Sequence, residues 1–193
     1  MTLNSDPCPA LDAVRGRRSH SKVTDEAPTS EQLAELIAPL SSIADHSGMR
    51  PWRIIALRGD ERDLIGHALA EASGGEPEQH EKFVKKARRA PLVLAIVACV
   101  QDSKKVPTWE QEAVASGAAH LLSLLLHEAG WGVMWRTGLQ TRSEAVHRAH
   151  RLSGSEYLLG WLYVGGIPDR DRREKPRKPL PVERFLSEGV DPA

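Results

Sequence analysis

A chain of 193 residues is long enough to bury one continuous core and short for two, so a single domain over residues 1–193 is expected. Its 26 basic and 26 acidic side chains cancel, which removes any overall field toward nucleic acid or a membrane surface, and an anion site must be built locally. The two cysteines, Cys8 and Cys99, fit neither a disulfide framework nor a thiolate metal site. No apolar run reaches the roughly 18 residues of a membrane span, and residues 1–10 lack a signal-peptide pattern, so a cytoplasmic location is expected.

Residues 10–18 are helical in pattern, with Leu11 and Val14 three apart on one face, and end in Arg17-Arg18-Ser19. Thr29 and Gln32 form a capping box. The helix it opens puts Leu33, Leu36, Ile37 and Leu40 on one side. The loop 41–51, which carries Ser42, Asp45 and His46, leads into Trp52 and a strand over 53–58. Residues 60–73 and 78–89 read as two peripheral helices separated by Gly74-Gly75-Glu76-Pro77. The uninterrupted apolar run 92–100, rich in Val and Ile, reads as a central strand buried on both faces. From about 107 to 130 a long helix is expected, about 34 Å at ~1.5 Å per residue. Its second half is apolar nearly all round, so it belongs inside the fold or at an interface. A strand over 131–136, a helix over 142–152 and a strand over 156–165 follow. The Pro-rich, charged tail from 167 to 178 is expected on the surface or on a partner subunit.

Two short stretches carry most of the chemistry. Arg17-Arg18-Ser19 offers two guanidinium forks and a hydroxyl, which suit a phosphate or a carbonyl-rich ring edge. Taken alone it reads first as a cationic helix C-terminus meeting the helix dipole. Trp135-Arg136-Thr137-Gly138 follows a buried strand, where polar groups tend to face a ligand, and its glycine lets backbone approach a planar ring. Between them His46 is either a donor to a cofactor carbonyl or the partner of Asp45. Trp109 and Glu110 read as helix-start chemistry, with a substrate-lining role as the alternative.

Other patterns fail. His127-Glu128 lacks the second His of a zincin helix, and His147 with His150 lacks a third ligand, which argues against metal catalysis. No dinucleotide glycine fingerprint, phosphate-loop Lys or Gly-x-Ser-x-Gly elbow is present. The Lys-Lys-Ala-Arg-Arg run at 85–89 reads as a solvated helix face.

Taken in order, Arg17-Arg18-Ser19, the segment Asp45-His46 to Pro51-Trp52, the segment from Lys105 through Trp109 and Glu110 to Glu112, and Trp135-Arg136-Thr137-Gly138 resemble the nitroreductase family, closest to its small NAD(P)H nitroreductases. The resemblance covers about residues 10–168, leaving a leader at 1–9 and a charged tail at 169–193. It implies an α+β nitroreductase-like fold, with a central mixed sheet flanked by helices, a long buried helix at about 108–130, and a homodimer binding FMN at the subunit interface. By the same resemblance Arg17, Arg18 and Ser19 grip the ribityl phosphate and ring edge, and Ser42 and His46 belong to a cofactor-touching loop. Trp135, Arg136 and Thr137 run along the flavin. The implied activity is hydride transfer from NAD(P)H through flavin N5 to a nitro compound, quinone or similar small-molecule acceptor by ping-pong kinetics, with no obligate catalytic side chain. Ser42 stands where relatives often carry Arg, and Arg50 where Gln is usual. The rival readings are another flavin reaction such as dehalogenation or azoline dehydrogenation, a flavin-storage protein, and an interaction domain with no cofactor.

Overall fold

The computed structural model describes residues 9–171 and 177–189. Four strands, β1 (Trp52–Arg58), β2 (Leu92–Cys99), β3 (Trp131–Arg136) and β4 (Glu156–Gly166), form one sheet in the order β1-β2-β4-β3. Every neighbouring pair is antiparallel. The expected mixed sheet is therefore corrected. Strands β2 and β3 do run in the same direction, as a helical crossover between them requires, but β4 enters between them and pairs antiparallel with both. The parallel pairing that the fold contains is an isolated bridge from Ser19 to Val133 on the outer edge of β3.

Strand β2 is buried on both faces, from Leu92 to Ala98, because helices cover each side of the sheet. Leu92, Leu94 and Ile96 face one layer together with Val133, Leu162 and Val164. This layer holds α2 (Ser30–Ile37) and the 21-residue α5 (Thr108–Glu128). Val93, Ala95 and Val97 face the other layer, with Trp161 and Tyr163. That layer is made by α3 (Asp63–Ala72), α4 (Pro77–Ala87) and α6 (Glu144–Ala149). Burying each branched side chain contributes about 1.5–3 kcal/mol before chain entropy is charged against it. A short helix, α1 (Pro9–Gly16), lies at the start of the described chain, and the Thr29–Gln32 capping box forms as expected.

Two expectations change. Helices α3 and α4 are not peripheral: Ile65 and Ala87 are fully buried, and with α6 the pair covers one face of the sheet. Helix α5 buries one side, through Gln111, Ala115, Ala118, Ala119, Leu122 and Leu126, whereas Trp109, Ala113 and His120 are exposed on the other. Its apolar character all round thus leaves a face uncovered in a single chain. Buried Gln111 is satisfied, since its amide donates to the carbonyls of Gln101 and Val106 (2.9 and 3.0 Å) and its oxygen accepts from the Gln101 N–H. No helix among the described residues is long and apolar enough to cross a membrane.

Gly66 marks the crossing of α3 and α4, where an added Cβ would lie 2.5 Å from Val84 Cα. Gly66→Ala is expected to cost about 1–3 kcal/mol in urea unfolding, because backbone rather than a pliable side chain must move. Buried His150 points Nδ1 at the Val146 carbonyl (2.8 Å) and accepts the Trp161 indole N–H at Nε2 (3.0 Å), which fixes a neutral ring. Burial depresses its pKa. Its contribution to stability is therefore full above the ordinary imidazole value of about 6.5 and falls as pH drops below it. Unfolding free energies measured at pH 7.5 and 5.5 should show this loss, and His150→Phe should shrink it.

Candidate functional site

After α1 the chain turns and lies along the outer edge of β3. Ser19 bridges Val133, the His20 N–H donates to the Val133 carbonyl (2.9 Å), and farther on the Thr24 N–H donates to the Gly166 carbonyl (2.8 Å). This approach depends on glycine: a Cβ on Gly165 would stand 2.7 Å from the Thr24 carbonyl oxygen, and one on Gly132 would stand 3.0 Å from Val23 Cγ1. Ser19, the last residue of the first stretch singled out in the sequence, thereby lies against β3 two residues before Trp135, where the second stretch begins.

Along β3 side chains alternate. Trp135 packs on the α5 side, its ring 4.8 Å from that of His120. Arg136 takes the opposite face, with its guanidinium 5.3 Å from the Tyr163 ring centroid and its Nε buried without a hydrogen-bond partner. Thr137 and Gly138 are exposed beyond the strand end. Opposite them Gly160 occupies an irregularity in the β2–β4 pairing, and a Cβ there would meet Trp135 Nε1 at 2.5 Å and the Arg136 carbonyl oxygen at 2.6 Å. Sequence reading missed Gly160, whose signal is a glycine inside an apolar strand.

On the Arg136 side a cavity of about 360 Å³ is walled by Met134 to Gly138, by Phe83 and Lys86 of α4, and by Trp161 and Tyr163 of β4. A second, narrow pocket shares Met134, Arg136 and Tyr163 with it and is lined as well by His20, Ser21 and Arg89. Lys86 Nζ lies 4.9 Å from the Phe83 ring centroid. Lys86, expected on a solvated face, therefore lines the cleft. Aromatic walls with fixed cations suit a planar ring that carries or gains negative charge.

At the Arg17 end basic groups gather. Arg18 turns back to cap α1, donating to the carbonyls of Arg15 (2.6 Å), Gly16 (3.2 Å) and Arg17 (3.1 Å), so the helix-terminus reading holds for that side chain. Arg177, from the tail, donates to the Arg17 carbonyl. His127, in the last turn of α5, reaches to 3.2 Å from where a Cβ on Gly16 would stand. Burial, with Arg17 and Arg18 nearby, depresses the pKa of both His20 and His127, while Asp171 opposes the shift at His20 and Glu128 opposes it at His127. Arg177 and His127 are distant from Arg17 along the chain, and His127 reads in the sequence only as a failed metal motif; sequence reading missed His20, which directly follows Ser19.

Ser42 and His46 are not brought here. The Ser42 hydroxyl donates to the Pro39 carbonyl (2.8 Å), and His46 Nδ1 lies 2.8 Å from Glu110 Oε2 in the first turn of α5. Asp45 accepts the Arg50 N–H (2.6 Å) rather than binding His46, and Ser47 and Arg50 both take positive φ, 64° and 48°. Beside this loop a cavity of about 390 Å³ is lined by Ile37, Ser41, Asp45, Arg50, Trp52 and Val114. Glu110 holds one group at the start of α5 and His127 lies in the other at its end, a separation of about 25 Å at ~1.5 Å per residue.

Cys99 offers no thiolate chemistry. Its Sγ lies 3.4 Å from Glu156 Oε1, and burial first, then that carboxylate, push the thiol up to about 11.

Known proteins agree with this architecture. Residues 14–166 match the Nitroreductase family, and the chain belongs to it. It is 32% identical over 159 residues to "Putative NAD(P)H nitroreductase YdjA" of Escherichia coli (strain K12), covering 81% of this chain and 87% of that protein. Among solved structures it is similar to a nitroreductase-like family protein from Bacillus cereus, with TM-score 0.81, 16% identity, and coverage of 98% of this chain and 100% of that one. It is also similar to the FMN and NADPH-dependent nitroreductase NfnB from sphigopyxis sp. strain HMH, with TM-score 0.70, 14% identity, and coverage of 95% and 100%.

Gly160→Ala tests the packing beneath the Trp135–Thr137 segment. Thermal unfolding should show a loss of about 1–3 kcal/mol, since the added methyl meets backbone and a packed indole. Near-ultraviolet circular dichroism should report the displaced indole.

Proposed function

We propose that the protein is a single-domain FMN-dependent oxidoreductase that uses NAD(P)H to reduce a nitro compound, quinone or similar small acceptor, and that it works as a homodimer with FMN at the subunit interface. One observation carries this reading: the aromatic and cationic cavity at Lys86, Arg136, Thr137 and Gly138 adjoins a narrow pocket at His20, Ser21 and Arg89, a few residues along the chain from Arg17. Their polarity matches a phosphorylated flavin, with an anion at one end and a planar ring at the other. The unpartnered Arg136 Nε and the close backbone approach at Gly160 also support the fit.

When bound, a flavin would supply the two-electron chemistry between NAD(P)H and the acceptor. The chain's own residues bind and bias. Arg17 and Ser19 hold the phosphate end, and Arg18 closes the end of α1 beside them. Lys86 and Arg136 place fixed positive charge beside the ring, which favours the form that has gained electrons. Phe83, Trp161 and Tyr163 keep water from the enclosed face, and Thr137 with Gly138 offers backbone groups at the open end. Because nicotinamide and acceptor use one pocket in turn, ping-pong kinetics follow.

The separation of Ser42 and His46 from Arg17 supports a composite site. In a two-fold dimer packed through the uncovered face of α5, the His46 loop of one copy is brought to the group at Arg17 and His127, at the end of that helix, in the other. The purified protein should be a yellow dimer that releases FMN on denaturation and is bleached by NAD(P)H under anaerobic conditions. Colourless protein that takes up no FMN sinks the cofactor assignment. Arg17→Ala and His46→Ala should each lower turnover. Unfolding and refolding the two variants together should restore about a quarter of wild-type activity, since half of the dimers then carry one intact site. No recovery in mixed dimers overturns the composite arrangement.

A further inference from the structure

The basic groups around Arg17 include two histidines that the Arg-Arg-Ser motif does not require. His20 is fixed by its backbone bond to Val133, and its Nε2 is buried with no hydrogen-bond partner. His127 lies against Gly16 at the end of α5, and its Nδ1 is likewise buried and unpartnered. An imidazole nitrogen removed from water without a partner is a cost, and it persists where a ligand or proton supplies what is missing. The charged groups that face His20 are His127, Asp171, Arg17 and Arg18, and those that face His127 are His20, Glu128, Arg17, Arg18 and Arg177. Burial and the neighbouring guanidinium groups hold both rings below the ordinary imidazole value, so in the free protein at neutral pH they are uncharged.

We infer that His20 and His127 are ligands of the phosphate monoester of the flavin, each taking up a proton from solvent as the dianion settles among them, Arg17 and Arg177. The inference rests on the cofactor reading above and adds to it a chemical discrimination: phosphorylated flavin binds with proton uptake, and riboflavin without it. A dianion beside an imidazole favours the protonated ring, reversing the influence of the guanidinium groups, and converts two unsatisfied nitrogens into charge-assisted donors. No bond is made or broken in the flavin, and the protons come from water.

The test is the affinity of the flavin-free protein for FMN and for riboflavin, read from quenching of flavin fluorescence between pH 6.5 and 8.5. Over this range the phosphate, whose second pKa is near 6, remains mostly dianionic. FMN is expected to bind at least roughly tenfold more tightly at pH 6.5 than at 8.5, approaching a hundredfold for each proton taken up over the whole range, while riboflavin affinity stays level. The double variant His20→Asn with His127→Asn should bind FMN with the slope abolished. Calorimetry of the wild-type protein at pH 7.5, in phosphate-free buffers of different ionisation enthalpy, reads the proton uptake directly and needs no variant. FMN affinity independent of pH, a slope that survives in a folded double variant, or zero proton uptake overturns the histidine assignment alone. Failure to bind FMN at every pH overturns the cofactor reading, and the histidine assignment with it.

Discussion

The arrangement depends on missing side chains along the β3–β4 pair. Gly132 and Gly165 let the segment after Arg17 lie against the sheet edge, and Gly160 lets Trp135, Arg136 and Thr137 close down on β4. Any Cβ at Gly160 or Gly165 would meet backbone at 2.6 or 2.7 Å, distances that a protein interior cannot absorb by rotating a side chain. Two stretches far apart in sequence are thus joined by close backbone approach rather than by a side-chain bond between them. The functional groups are passengers on that contact.

The regular elements were legible because each carries its own local signal. The Thr29–Gln32 box, the Val and Ile run of β2 and the apolar β3 all appear as read. Strand order was not legible. Nothing local says that β4 enters between β2 and β3, since that choice is made by packing between elements remote in sequence. The standing of α3 and α4 failed for a related reason: a helix rich in charge still buries a narrow stripe, here through Ile65, Ala68 and Ala87.

The candidate site divides in the same way. Arg17 to Ser19 and Trp135 to Gly138 were found through residue type and position beside predicted elements, and the fold brings Ser19 to Val133, two residues before Trp135. His20, Lys86, His127 and Arg177 gain their place only in three dimensions. Arg18 shows the limit of motif logic, because its guanidinium serves the carbonyls of its own helix end. Ser42 and His46 lie at the far end of α5, so a single copy holds two incomplete groups of polar residues separated by a rigid rod. An exposed stripe along that rod lies between them.

The contact between Arg177 and the Arg17 carbonyl joins residues 160 apart in sequence. A growing chain folds from its N-terminus as it leaves the ribosome, so the sheet and both helical layers have their residues to hand before this contact can exist. The basic group around Arg17 is therefore completed only after the sheet and both helical layers have been synthesised. It stands open while the scaffold forms, and the C-terminal segment acts as a late-fitting clasp on an already assembled body.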